Sequence, residues 1–156
     1  MAVSVIDGTL ESVTVKRKAS RVWRLHDLVF RTAAGGETRL DGMTVVTPDI
    51  GVALQPGVSG RFYVYRAIDH KGIHAVRSPD GSVLMKFPRS NETLMAVLFF
   101  INIAAAAAMF AIDGSPNWLT VALIPFTSVL WFLYRAARRE AEAQVIADRA
   151  PVIELA

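Results

Sequence analysis

Between Val3 and Phe87 apolar and polar residues alternate with a period of two, and clusters of Gly, Pro and Asp interrupt the pattern at short intervals. Such a pattern predicts β-strands joined by tight turns, over Val3 to Val15, Val22 to Thr32, Glu37 to Val46, Gly60 to Arg66, Ile73 to Arg77 and Val83 to Phe87. The punctuation falls at Ala34-Gly35-Gly36, Thr47-Pro48-Asp49, Gln55-Pro56-Gly57, Asp69-His70-Lys71-Gly72 and Ser78-Pro79-Asp80-Gly81, and the last two have the composition of hairpin turns. No stretch of this region has a helical apolar face. The pattern then changes abruptly. Thr93 to Ile112 is a run of 20 residues without a charge, and Asn117 to Tyr134 a second of 18. At 1.5 Å per residue, 20 helical residues reach about 30 Å, the thickness of a bilayer's hydrocarbon core.

The pattern therefore divides the chain into a β domain over residues 1–90, a two-helix transmembrane hairpin over 91–134 with spans at about 93–112 and 117–134, and a helical tail over 135–156. Five or six short strands in so small a domain suggest a closed or nearly closed barrel. A long first strand, a long hairpin and a central strand flanked by Gly57 and Gly60 suit a five-stranded OB-like barrel, with an SH3-like barrel or small sandwich as rivals. The expected core is Val5, Leu10, Val13, Val15, Trp23, Leu25, Leu28, Phe30, Leu40, Val45, Phe62, Val64, Ile73, Val83, Leu84 and Phe87. An OB-like barrel with apolar spans resembles the parts of NfeD-type membrane proteins. There the barrel follows the spans, whereas here it precedes them, and no motif carries an assignment to that family.

Charge orients the hairpin. Residues 1–90 carry 13 Lys/Arg against 8 Asp/Glu, the span region adds only Glu92 and Asp113, and the tail has four of each sign. Lys86 and Arg89 precede the first span, Arg135, Arg138 and Arg139 follow the second, and the connecting Asp113-Gly114-Ser115-Pro116-Asn117 has no cation. By the positive-inside bias both flanks of the hairpin are expected in the cytoplasm, in a bacterial-type inner membrane. Trp118 at the outer end of the second span and Trp131 with Tyr134 at the inner end fit the headgroup zones that amphipathic rings prefer. The first 18 residues lack a signal peptide's basic start and apolar core, because Ser4, Asp7 and Gly8 interrupt them, so export of the β domain is not expected. The absence of cysteine excludes disulfides, thiolate metal sites and cysteine nucleophiles.

Candidate chemistry is sparse. Lys16, Arg17, Lys18, Arg21 and Arg24 form the densest basic cluster, able to meet phosphates of anionic lipid or nucleic acid, or to serve only as a solvated turn. Arg61, Tyr63 and Tyr65 share one face of a strand, which suits base stacking if the face is open and cross-strand aromatic packing if it is not. His70 and His74 are separated by a turn, no third ligand is evident, and no metal site is expected. Gly35-Gly36 and Gly57 to Gly60 lack phosphate-loop spacing and a following helix, and no serine elbow occurs. No catalytic residue and no cofactor is therefore assigned. Inside the first span Asn102 is the one amide side chain, near its midpoint, where an unpaired polar group is costly. Thr127, Ser128 and the carbonyl freed by Pro125 lie at the matching depth of the second span. Ala104, Ala108 and Ala111 offer a small-residue surface for close helix approach. In the tail, Val145, Ile146, Val152, Ile153 and Leu155 are more apolar than a solvated segment requires, so Pro151 to Leu155 is expected either to pack on the barrel or extend its edge, or to fray as a terminus. The expectation is a non-catalytic membrane accessory or scaffold presenting the barrel to a protein partner. Alternatives are a tethered module for nucleic acid or anionic lipid, and a subunit of a homo-oligomeric channel or transport accessory.

Overall fold

The period-two segments form seven strands of one mixed sheet in a computed structural model that describes residues 3–32, 35–67, 70–115 and 117–148. Ala34, Asp69, Pro116 and the segment Pro151 to Leu155, which figure in the sequence expectations, lie outside the described residues. The order in the chain is β1 (Val3–Lys18), β2 (Trp23–Thr32), β3 (Glu37–Leu40), β4 (Thr44–Val46), α1 (Pro48–Ala53), β5 (Ser59–Arg66), β6 (Lys71–Arg77), β7 (Val83–Met85), α2 (Ser90–Asp113) and α3 (Trp118–Ala147). The chain forms two compact units, the sheet together with the segment from Arg139, and the helical pair Arg89–Arg138.

β1 organises the sheet because it is long enough to serve two neighbours. Val3 to Thr9 pair with β5, and Gly8 to Lys18 pair with β2. With β5 on β6, β6 parallel to β4, and β4 on β2, five strands pair in a closed circuit, while β3 extends β2 and β7 extends β6. Bulges make the turn of β1 possible: its register against β2 shifts between Leu10 and Ser12, Ser12 and Thr14, and Val15 and Arg17. Asp27 lies on β2 opposite one of them with φ of 52°, a left-handed conformation that Asp tolerates better than most residues.

The long segment expected over Glu37 to Val46 is two strands, broken at Gly42, whose φ is +75°. β3 pairs with Leu28 to Arg31 of β2 and β4 with Trp23 to Leu25, so the break slides the chain along its partner and frees β4 to meet β6. The turn expected at Thr47-Pro48-Asp49 is instead the start of α1. Pro48 fits the first helical turn, where its missing N–H costs nothing, and Asp49 favours the positive end of the helix. Six residues are too few to show a helical period, yet Ile50 and Leu54 reach the core.

That core gathers Ile6, Leu10, Leu25, Leu28, Phe30, Val46, Ile50, Leu54, Phe62, Val64, Ile73 and Val76, with Phe30 and Phe62 at 4.9 Å between ring centres. Val5, Val15 and Val83, expected inside, are exposed. Parity explains Val5: Ile6 and Leu10 face inward, so the odd-numbered neighbour faces out.

In the second unit, α2 and α3 are each long and apolar enough to cross a membrane. Gly114, at φ +70°, ends α2 with its amide on the Phe110 carbonyl at 3.0 Å. Asn117 starts α3 by accepting the Leu119 N–H on its side chain at 2.8 Å. Phe99 and Trp131 meet at 5.9 Å, and Arg138 grips Glu92 through two bonds of 2.7 and 3.1 Å, both side chains being mostly buried. α3 passes through Pro125 and continues 13 residues beyond Tyr134.

Candidate functional site

Two features of the sheet unit carry charge in an organised way: the seat of the C-terminal segment on β5 and β6, and the arm formed by the ends of β1 and β2.

The seat is built on the face of β5 opposite the main core. Alternation sends Phe62 and Val64 into that core and Arg61, Tyr63 and Tyr65 to the other side, where all three are nonetheless buried. Tyr63 and Ala75 enclose Val145 of α3, with Met85 against them. Ala141 is small enough to bring its carbonyl within 3.2 Å of His74 Nε2, which donates to it. Arg77 donates to the Val145 carbonyl at 3.0 Å, placing a cation on the unpaired carbonyls at the negative end of α3.

Arg61 closes the seat. Its Nε and Nη2 donate to the two oxygens of Asp7 at 2.6 and 2.8 Å, and its Nη1 donates to both oxygens of Asp148 at 2.9 and 3.0 Å. Tyr63 Oη donates to Asp148 at 2.9 Å. One guanidinium thereby ties the first strand, the central strand and the residue that follows α3. Hydrogen bonds to Asp7 above all, and then to Asp148, push the Arg61 pKa above its ordinary value despite burial. Burial, reinforced by Asp148, raises that of Tyr63. Burial lowers that of His74 below 6.5, so the ring is held neutral, and its Nδ1 has no hydrogen-bond partner among the described residues. Phe87 covers this end of the seat, 4.6 Å from Tyr65 and 5.8 Å from His74.

Arg61, Tyr63 and Tyr65 share one face of β5, and that face is covered, Tyr63 by Val145 of α3 and Tyr65 by Phe87. Base stacking requires an open ring face, and here Tyr63 and Tyr65 are 0% and 1% exposed. Tyr65 Oη instead meets His70 Nε2 at 3.2 Å. The remaining members of the network were not singled out from sequence, because Asp7, Arg61 and Asp148 stand 54 and 87 residues apart. One signal was available: Ala141 and Val145 are spaced four apart, the repeat of a docked helical face.

The arm carries the basic cluster. Lys16, Arg17, Lys18, Arg21 and Arg24 are all exposed around the β1–β2 turn, where the Ala19 N–H bonds the Val22 carbonyl at 3.2 Å. Arg17 pairs across the strands with Arg24, and Lys18 with Trp23, its ammonium 4.5 Å from the ring centre. Among the described residues none of the five has an acidic partner.

In the helical unit, Thr127 is buried and turns its hydroxyl back onto the Leu123 and Ile124 carbonyls at 2.7 and 3.2 Å. Asn102 is half-buried on α2 and its amide makes no hydrogen bond among the described residues, nor does the Ser128 hydroxyl. Ala104, Ala108 and Ala111 are exposed. Trp118 is exposed near the start of α3, while Trp131 and Tyr134 are half-buried, with Arg135 over the Trp131 ring at 5.9 Å. Among the described residues no group of three or more His, Asp or Glu is placed to hold a metal ion. Comparison with protein-family models, curated proteins and solved structures finds no match.

Proposed function

We propose that this chain is a two-pass inner-membrane protein whose sheet unit and C-terminal helical end lie in the cytoplasm, and that it acts without catalysis as an accessory or scaffold subunit. The observation that carries the reading is the pair of helices of bilayer length whose apolar surface is left open, joined directly to a separately folded sheet. An apolar surface of that extent is stable only against lipid or another protein. Flanking cations and the cation-free connection support the orientation.

The sheet unit we read as an OB-like barrel. Its five circuit strands follow the order β1–β2–β4–β6–β5, with one parallel pair and with α1 between β4 and β5. Closure of this kind removes long open edges, and a short helix is then well placed to plug one end of the core with Ile50 and Leu54. The scaffold role is tested by affinity purification of the intact chain from native membranes in mild detergent, with identification of what accompanies it. A defined stoichiometric partner or oligomer is expected. A monodisperse chain that brings nothing from the membrane would remove the proposal's support.

The unpaired Asn102 amide favours an intramembrane contribution to that assembly, since an amide in hydrocarbon gains by bonding across to another helix. Asn102→Leu is then expected to change the oligomer distribution or partner yield while the sheet unit unfolds as in the wild type.

A further inference from the structure

We infer that the β1–β2 arm is a binding surface for the phosphates of anionic lipid headgroups, which it grips from the cytoplasmic side; this rests on the membrane reading above. Residues 1–90 carry 13 Lys/Arg against 8 Asp/Glu, five of those cations lie in this one arm, and no Asp or Glu occurs between Glu11 and Asp27. Among the described residues no ion pair neutralises them. Arg17 and Arg24 face each other directly across the ladder, an arrangement that opposes folding unless an anion lies between or above them. Leu10 still exchanges backbone hydrogen bonds with Val58 and Gly57, and beyond it the outer edge of β1 has no strand partner among the described residues. Cations on an open edge also discourage strand addition, but that task needs neither five of them nor the exclusion of every acid.

Two observations select lipid from the possible phosphates. Only Lys86 to Arg89 separate β7 from α2, a stretch that spans at most about 14 Å when extended, so a helix in the bilayer keeps the unit at the surface. An anionic leaflet is then the phosphate source always within reach, and cations near it gain free energy individually. The arm also exposes Val15 beside the cations, an apolar group suited to a headgroup layer. Single-stranded nucleic acid would call for open stacking rings, and those of Tyr63 and Tyr65 are covered.

The test uses the full chain, which has no cysteine, with Ser20→Cys in the arm's turn labelled by a fluorophore. The labelled protein is placed in nanodiscs of phosphatidylcholine, with or without phosphatidylserine, each doped with a headgroup nitroxide quencher. Quenching is expected to rise several-fold in the anionic discs. It should fall back to the neutral-disc level at high salt and in a variant with Lys16, Arg17, Lys18, Arg21 and Arg24 all changed to Gln. The milder pair Arg17→Gln and Arg24→Gln should give an intermediate loss, and an unchanged denaturation midpoint shows that the fold persists. Equal quenching in the two discs overturns the inference. So does its abolition by millimolar inorganic phosphate, which would mark a small-anion site, or by a single-stranded oligonucleotide at physiological salt. Failure of the chain to enter discs at all would instead overturn the membrane reading.

Discussion

Arg61 shows how a single side chain can decide a tertiary arrangement. Its guanidinium has five donors in a rigid fork, and four of its bonds go to two carboxylates. Arg61→Met leaves Asp7 and Asp148 close together without their cation. A fully buried charge stranded in this way costs about 3–5 kcal/mol, and the partial exposure of both carboxylates reduces the expected loss to about 2–3 kcal/mol. Chemical denaturation in detergent micelles measures this, with faster proteolysis between Arg139 and Asp148 as a local readout. A loss below about 0.5 kcal/mol would place Arg61 among ordinary surface pairs. His74 gives a second residue-scale expectation. Burial sets its pKa in the folded chain below the 6.5 of the unfolded one, so the unfolded state binds the proton more readily. Its stabilising contribution is complete above about pH 6.5 and declines as pH falls through that value toward the folded pKa, with a slope of at most about 1.4 kcal/mol per pH unit. His74→Phe should flatten the wild-type curve between about pH 6.5 and 5.5, where model carboxylates have not begun to protonate appreciably. Identical curves would show that His74 does not titrate with unfolding.

Among the elements, the junction of β4 and β6 is the most demanding, because a three-residue strand makes the parallel pairing that completes the circuit. Gly72 permits it: a Cβ there would strike the Val45 carbonyl oxygen and the Tyr65 ring. Backbone cannot retreat as a flexible side chain can. Gly72→Ala is therefore expected to destabilise the sheet unit by about 2–3 kcal/mol, measured by its thermal or denaturant midpoint, and a neutral result would mean that the pairing has slack. Elements were unevenly legible in the sequence. The boundaries of β5 and the existence of the β6–β7 hairpin follow from strict alternation and from Ser78 to Gly81, where Gly81 takes φ +85°. α1 was not legible, because Pro48-Asp49 opens a turn and a helix equally well and the decision lies in whether Ile50 and Leu54 find a core. The split of β3 from β4 was likewise hidden, since Gly42 marks a break but not how far the chain slides along β2.

At the scale of the molecule, the proposed topology gives a direct expectation. In a chain without cysteine, Ser115→Cys between the helices should react with an impermeant maleimide added to intact cells. Ser20→Cys in the arm should react only after permeabilisation, and the reverse pattern would invert the orientation. The apolar runs, their length, and the charges that flank them are local properties of the chain, additive along it, and the sequence alone determined them: free energy of transfer into lipid depends on what each residue is. The alternation that makes residues 3 to 87 a sheet is local in the same sense. What only the tertiary structure decided is which charges remain open. Arg61 and the cations of the arm look alike in sequence, yet Arg61 is closed between Asp7 and Asp148 while the five cations from Lys16 to Arg24 make no ion pair among the described residues. Tyr63 and Tyr65 look like a binding face, but Val145 of α3 packs on Tyr63 and Phe87 packs on Tyr65. Burial and pairing depend on segments more than 80 residues apart meeting in space, and no property of a single residue records such a meeting.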